Sequence, residues 1–285
     1  MPIISSNQGD IRRLTGAGDA KIDVPVVIKP DLSAAAPQVH RITPQSAGWR
    51  YVGFDVFDLL PQQNLERAVA DREQCLVLLS GRASVSVDGR HFGAIGERHT
   101  PFEGKPFAVY VPPRAQLSVA AETGCELAVC SAPAQGRLPA RLIRPEDMGE
   151  EVRGTGTNTR YVRNVLPAGA PAERLLVVEV VTPGGHWSSY PPHKHDSDRG
   201  GETQLEETYY HRLSRPGGFA FQRVYTDDRS LDETMTVEDR DVVLVPRGYH
   251  PVSAAHGFDL YYLNVMAGPV RRWQFTNAPG YEFLT

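Results

Sequence analysis

Short apolar runs rich in β-branched and aromatic residues recur along this chain, each closed by glycine, proline or a polar cluster. In the first half they are VPVVI (24–28), YVGFDVFDL (51–59), CLVLLSG (75–81), ASVSVDG (83–89), FAVYVPP (107–113) and LAVCSAP (127–133). The second half has the same texture in RLLVVEVVTPGG (174–185), ETYYHRL (207–213), GFAFQRVYT (218–226), DVVLVPRGYH (241–250) and DLYYLNVMAG (259–268). Many short strands between turn signals predict an all-β sandwich or barrel. Helical periodicity is weak, and only 145–151 reads as a short helical turn.

The halves also resemble each other. VYVPPRAQLSVAAETGCELAVCSAPA (109–134) lies on VLVPRGYHPVSAAHGFDLYYLNVMAG (243–268) without a gap, so Val111-Pro112 falls on Val245-Pro246 and Gln116 on His250. EQCLVLLSG (73–81) lies on ETYYHRLSR (207–215), which sets Glu73 opposite Glu207. Two tandem copies of one β-fold follow. The polar, glycine-containing stretch RPEDMGEEVRGTGTNTR supplies the boundary, giving domains 1–150 and 151–285.

The chain has 285 residues with a formal net charge of −4. Its cations and anions are interspersed, so neither nucleic acid nor an anionic membrane is an expected partner. MPIISSNQGDIRRLTGAGDA does not read as a signal peptide, and no apolar run approaches the ~20 residues that span a bilayer. Cys75, Cys125 and Cys130 have no CxxC spacing, which suits reduced thiols and a cytoplasmic location. Gly154-Thr155-Gly156 is a poor nucleotide-binding fingerprint, lacking a third glycine and a clear preceding strand. The acidic clusters 227–234 and 238–241 read as solvated turns between strands.

The candidate chemistry lies in the histidines. His193 and His195 are two apart, so on an extended chain both face the same way. His250 closes the apolar strand DVVLVP, and Glu206 and Glu207 open the strand in between. Neighbours on a strand face opposite ways, so only one of these glutamates can join the histidines. Three neutral imidazoles and a carboxylate suit a divalent ion such as Zn, Mn, Fe or Ni, with positions left for water or substrate. The first half has no histidine ahead of Glu73 in LERAVADR, which implies one metal-binding copy and one structural copy.

HxH, a Glu on the next strand and a His after a Pro-x-Gly turn resemble the two-part signature of cupin barrels. More narrowly, PPHKHD, LEETYYHRL, QRVYTDDRSLDETM and DVVLVPRGYHPVSAAHGFDLYYLNVMAGP resemble the 5-deoxy-glucuronate isomerase family, bicupins of bacterial myo-inositol catabolism. A related ketol-isomerase family of pectin breakdown shares that plan and a zinc held by three His and one Glu. The resemblance implies two tandem jelly-roll barrels, a divalent metal with zinc foremost, and ligands at His193, His195, Glu207 and His250. Glu207 is chosen over Glu206 because the repeat sets it opposite Glu73. Two features depart from the cupin pattern: DSDRGGETQLE is inserted before the Glu, and the turn from Pro246 to His250 is one residue short.

The implied reaction is the aldose–ketose isomerisation of 5-deoxy-D-glucuronate to 2-deoxy-5-keto-D-gluconate. It requires a Lewis acid and a proton shuttle. If Glu207 faces inward, so do Tyr209 and His211, candidates for hydrogen-bond donor and shuttle. A sugar acid calls for a cation, and Arg223 is the first candidate, with Arg247 second. Tyr262 could face the pocket but reads first as a core tyrosine, and Trp187 reads as packing. A metal-dependent cupin dioxygenase or oxidase could use the same ligands, as could an isomerase of another uronate. A non-enzymatic sugar-acid sensor would need an effector region that the sequence does not show. A homo-oligomer is expected from the edge strands and from the family.

Overall fold

The computed structural model describes residues 25–32 and 37–284; the stretch read for a targeting signal lies outside them. The all-β expectation holds. The one described α-helix is Pro44–Ala47, started by a Thr43–Ser46 capping box with Pro44 in its first turn. The turn expected at 145–151 is a short 3-10 segment, Pro145–Asp147. Among the described residues, no helix is long and apolar enough to cross a membrane.

The first half builds a six-stranded and a four-stranded antiparallel sheet. In the larger, Arg72–Ser80 pairs with Ala108–Val111 on one side and with Cys125–Pro133 on the other. The second half repeats this arrangement. Glu206–Leu213 lies between Val242–Val245 and Leu260–Ala267 in a seven-stranded sheet, which faces a four-stranded sheet built on Ala220–Tyr225. No sheet among the described residues closes on itself, so each half is a pair of facing open sheets. The division expected at residue 150 falls inside Gly149–Arg153, which pairs with Arg160–Leu166 in the seven-stranded sheet. Val26–Ile28 crosses over to pair with Val242–Val245 in that same sheet.

Strand alternation sorts the side chains into layers. Leu76, Leu78, Leu127 and Val129 point between the first pair of sheets. Val178, Val180, Val224 and Val252 point between the second pair. The opposite faces of the two large sheets pack on each other through Phe54, Val77, Cys130, Tyr210, Tyr261 and Leu263. The layers therefore run small sheet, large sheet, large sheet, small sheet. Cys75, Cys125 and Cys130 are all free and buried.

This layering corrects the register of the repeat. Glu73 lies on the face that meets the other half, with Cys75 and Val77. Its carboxylate accepts the backbone N–H groups of Glu173, Arg174 and Leu175 at 2.8, 2.6 and 2.7 Å. Glu206 does the reciprocal job, accepting from Arg50, Tyr51 and Val52 at 2.7, 2.7 and 2.9 Å. Glu73 thus corresponds to Glu206, and the inward counterpart of Glu207 is Gln74. Likewise Gln116 is exposed, whereas its neighbours Ala115 and Leu117 point into the first core. The ungapped alignment slips by one residue after the Val-Pro turn, and hydrocarbon fills the first half where the second carries His250.

Candidate metal centre

The strand Glu206–Leu213 is central in its sheet, and alternation turns Glu207, Tyr209, His211 and Leu213 inward. The other ligand candidates reach the same space from loops. His193 belongs to the two-residue strand His193–Lys194, paired with Thr276–Asn277 near the C-terminus. His250 follows a tight turn whose Gly248 has φ +88°, and a Cβ there would meet the Tyr225 carbonyl oxygen at 2.5 Å. Asp196 fixes this turn by accepting the Gly248 N–H at 2.7 Å.

Ligating nitrogens of His193, His195 and His250 lie within 4.8 Å of one another. The Glu207 carboxylate completes the cluster, with Oε2 at 3.0 Å from His195 Nε2 and 3.1 Å from His250 Nε2. His250 Nδ1 sits 2.8 Å from the Gly248 carbonyl, donating to it and leaving Nε2 to face the cluster. Asn264 Nδ2 donates to Glu207 Oε1, holding Oε2 toward the histidines. Three buried atoms here, His195 Nε2, His250 Nε2 and Glu207 Oε2, crowd one another at 3.0–3.1 Å and have no well-aligned hydrogen bond. Buried polar atoms without partners are costly, and the convergence of these three on one point is what a bound cation would relieve. The donor set suits a borderline divalent ion.

The charges agree. Burial pushes the Glu207 carboxyl up, but His250 and His195 outweigh it and hold it well below the usual carboxylate range. Burial, with His250 and His195 beside it, holds His193 well below the ordinary imidazole value. His250 is lowered by burial against the pull of Glu207. Burial also lowers His195, but the adjacent Glu207 charge wins and its value is raised.

A cavity opens beside the cluster, lined in part by His193, Glu207, Tyr209, Tyr262, Arg160 and Trp273. Tyr209 lines the cavity, its hydroxyl 3.1 Å from Ser189 Oγ. Tyr262, expected in the core, also lines the cavity. Trp187 is 41% exposed and packs on Tyr190. Of the acidic clusters, Asp227 to Ser230 is an exposed turn, but Asp232–Val237 is a strand and Asp241 is buried against Lys29.

Two assignments are corrected. His211 does face inward, but it lies behind Tyr209 and does not line the cavity. It is fully buried, contacts Gln222 Oε1 at 3.2 Å, and burial lowers its pKa to about 4. It is a neutral wall residue. Arg223 does not line the cavity either, because its fork is filled by Asp232, with Nε and Nη2 each 2.7 Å from a carboxylate oxygen. Arg247 is exposed. The cavity's cations are Arg153 and Arg160, from the segment read as the domain boundary. Asn264 was discoverable: it is a polar residue two positions from Tyr262, on the same face of an apolar strand.

A family model described as the KduI/IolB family matches residues 27–284. The 5-deoxy-glucuronate isomerase of Geobacillus kaustophilus is 55% identical over 248 residues, covering 86% of this chain and 90% of that protein. The protein of that name from Bacillus subtilis strain 168 is 46% identical over 257 residues, covering 89% and 95%. Among solved structures, an IolB-like protein from Salmonella typhimurium has a TM-score of 0.88 at 51% identity, covering 90% of this chain and 98% of that one. A variant of Bacillus subtilis oxalate decarboxylase has a TM-score of 0.62 at 14% identity, covering 97% and 86%; that likeness is one of fold.

Proposed function

This chain belongs to the KduI/IolB family, and we propose that it is a metal-dependent aldose–ketose isomerase converting 5-deoxy-D-glucuronate to 2-deoxy-5-keto-D-gluconate. The sequence relatives named 5-deoxy-glucuronate isomerase support the activity. The observation that carries the mechanism is the convergence of His193, His195, His250 and Glu207, three of whose buried atoms face one another without a well-aligned hydrogen bond. These four residues are the proposed ligands, with zinc as the ion. A divalent ion held there would supply Lewis acidity to the carbonyl and hydroxyl on adjacent carbons.

The chain's own groups do the rest. Asn264 orients Glu207, and the Gly248 carbonyl orients His250. The hydroxyls of Tyr209 and Tyr262 meet at Ser189 Oγ, at 3.1 and 3.5 Å, and offer substrate oxygens donors that burial keeps protonated. With His211 off the cavity lining, these hydroxyls are the groups placed to donate a hydrogen bond to a substrate oxygen as charge develops on it. Val178 and Val180 keep that side of the cavity apolar. The architecture proposed is a bicupin with a structural first half, divided near residue 150, in a homo-oligomeric cytoplasmic enzyme.

Elemental analysis of the purified protein, followed by turnover of 5-deoxy-glucuronate watched by NMR, tests this reading. About one zinc per chain and isomerisation without oxygen uptake are expected. His250→Ala should lose both the metal and turnover while retaining a cooperative thermal transition. Stoichiometric metal and full turnover in that variant would refute the site, and oxygen consumption would instead favour an oxidative cupin.

A further inference from the structure

One of the cavity's two arginines has no ion pair of its own. Arg160 and Arg153 sit directly opposite each other where Gly149–Arg153 pairs with Arg160–Leu166, and both line the cavity. Like charges placed opposite across a ladder repel. Arg153 is compensated: its Nη2 lies 2.7 Å from Glu151 Oε1, and its guanidinium covers the Trp273 ring at 4.9 Å. Arg160 is not. Its Nη1 donates to the Asn158 carbonyl oxygen at 3.0 Å and to Asn158 Oδ1 at 3.3 Å, both neutral acceptors. Among the described residues no carboxylate pairs with it. A half-buried guanidinium without a counter-charge is costly.

The loop before Arg160 is built to aim it. Gly154 has φ +75°, and a Cβ there would meet the Asn158 carbonyl oxygen at 2.2 Å and Arg160 Nη1 at 2.8 Å. Asn158 Nδ2 donates to the Tyr190 carbonyl at 3.1 Å, tying the loop to the chain that leads into His193. Arg160 thus has one edge of its fork held by Asn158 and the rest left to the cavity.

We propose that Arg160 is the carboxylate subsite of this cavity, binding the acid end of a sugar acid whose carbonyl end meets the histidine cluster. The proposal rests on the isomerase reading for the identity of the sugar and on geometry for the site itself. A guanidinium fork matches a carboxylate with two parallel hydrogen bonds, and an acid arriving there would cancel the repulsion between Arg160 and Arg153. Asn158 is a positioning residue.

The test is calorimetric titration of the zinc-loaded protein with the C1 alcohol of 5-deoxy-glucuronate, which keeps the carboxylate but cannot isomerise. The neutral analogue bearing CH2OH in place of the carboxylate is the companion ligand. Arg160→Gln should weaken binding of the acid by roughly 10- to 100-fold, the range for a hydrogen-bonded charge, and leave the neutral analogue unchanged. Arg160→Lys should recover part of the loss, and Arg223→Gln should bind as wild type. Zinc content and thermal transition confirm that each variant is folded. Equal loss for acid and neutral ligand, or no loss for the acid, overturns the subsite. Arg160-dependent binding by a wild-type protein that turns over no 5-deoxy-glucuronate would leave the subsite standing and refute the isomerase.

Discussion

Glu206 and Glu207 are adjacent carboxylates that the pleat sends to different work. Glu207 faces the histidines, whereas Glu206 accepts three backbone N–H groups from 50–52. Exchange for glutamine should separate the roles. Glu207→Gln is expected to lower zinc occupancy with little loss of fold. Glu206→Gln should keep zinc but lose roughly 1.5–3 kcal/mol of stability, as for a hydrogen-bonded charge, read by denaturant titration. Equal zinc loss in both would show that the faces are wrongly assigned. Two buried histidines outside the proposed ligand set give a pH signature. His40 donates from Nε2 to the Arg240 carbonyl at 2.7 Å, and burial lowers both His40 and His211 from 6.5 to about 4. In this window the unfolded chain binds protons that the native protein refuses, so stability falls as pH drops from about 6.5 to 4. Each histidine contributes a slope of ~1.4 kcal/mol per pH unit. His40→Gln should flatten the wild-type slope by about one such increment, and an unchanged slope would mean that His40 is protonated when folded.

Strand alternation explains why part of the site was legible in the sequence and part was not. His193 and His195 were visible because a period of two is the simplest pattern an extended chain can carry, and Tyr209 followed from Glu207 by the same rule. The choice of Glu207 agrees with this geometry, but the repeat argument behind it does not. Glu73 shares the face of Glu206, and only a one-residue slip hid that from the alignment. Arg160 was hidden because a strand that begins inside a polar, glycine-containing stretch looks like a linker, and its partner strand Gly149–Arg153 has little apolar content. The C-terminal element was hidden too. Thr276–Asn277 is a strand only through its pairing with His193–Lys194, and Phe275 lies 4.7 Å from the His193 ring. Supports of this kind around a ligand are worth roughly 10- to 100-fold in metal affinity. A chain ending at Trp273 should therefore bind zinc that much more weakly in a competitive chelator titration, with its thermal transition kept. Unchanged affinity would show that His193 is held by its own loop.

At the scale of the molecule, the two halves are bound face to face by features that neither can satisfy alone. Tyr210, Tyr261, Leu263 and Val265 of the second half and Phe54, Val77 and Cys130 of the first are buried only because the large sheets cover each other. Charged groups cross the same boundary: Glu179 accepts from Arg98 Nη1 and Nη2, at 2.9 and 3.0 Å, with Arg163 and the Tyr261 hydroxyl on the same carboxylate. Glu73 and Glu206 each reach across to backbone amides of the other half, and Val26–Ile28 lies in the sheet of the second. A repeat in sequence suggests two independent units, but a shared apolar layer makes separation expose large hydrophobic faces and leaves buried charges without partners. Calorimetry of the zinc-free protein should thus show one cooperative transition, with calorimetric and van't Hoff enthalpies equal. Residues 149–285 expressed alone should fail to give a cooperative transition even when supplied with zinc. Two separable transitions, or an isolated second half that melts cooperatively and binds zinc, would mean that the first half is a passenger. One transition would make it the wall against which the sheet carrying the proposed metal site is held in shape.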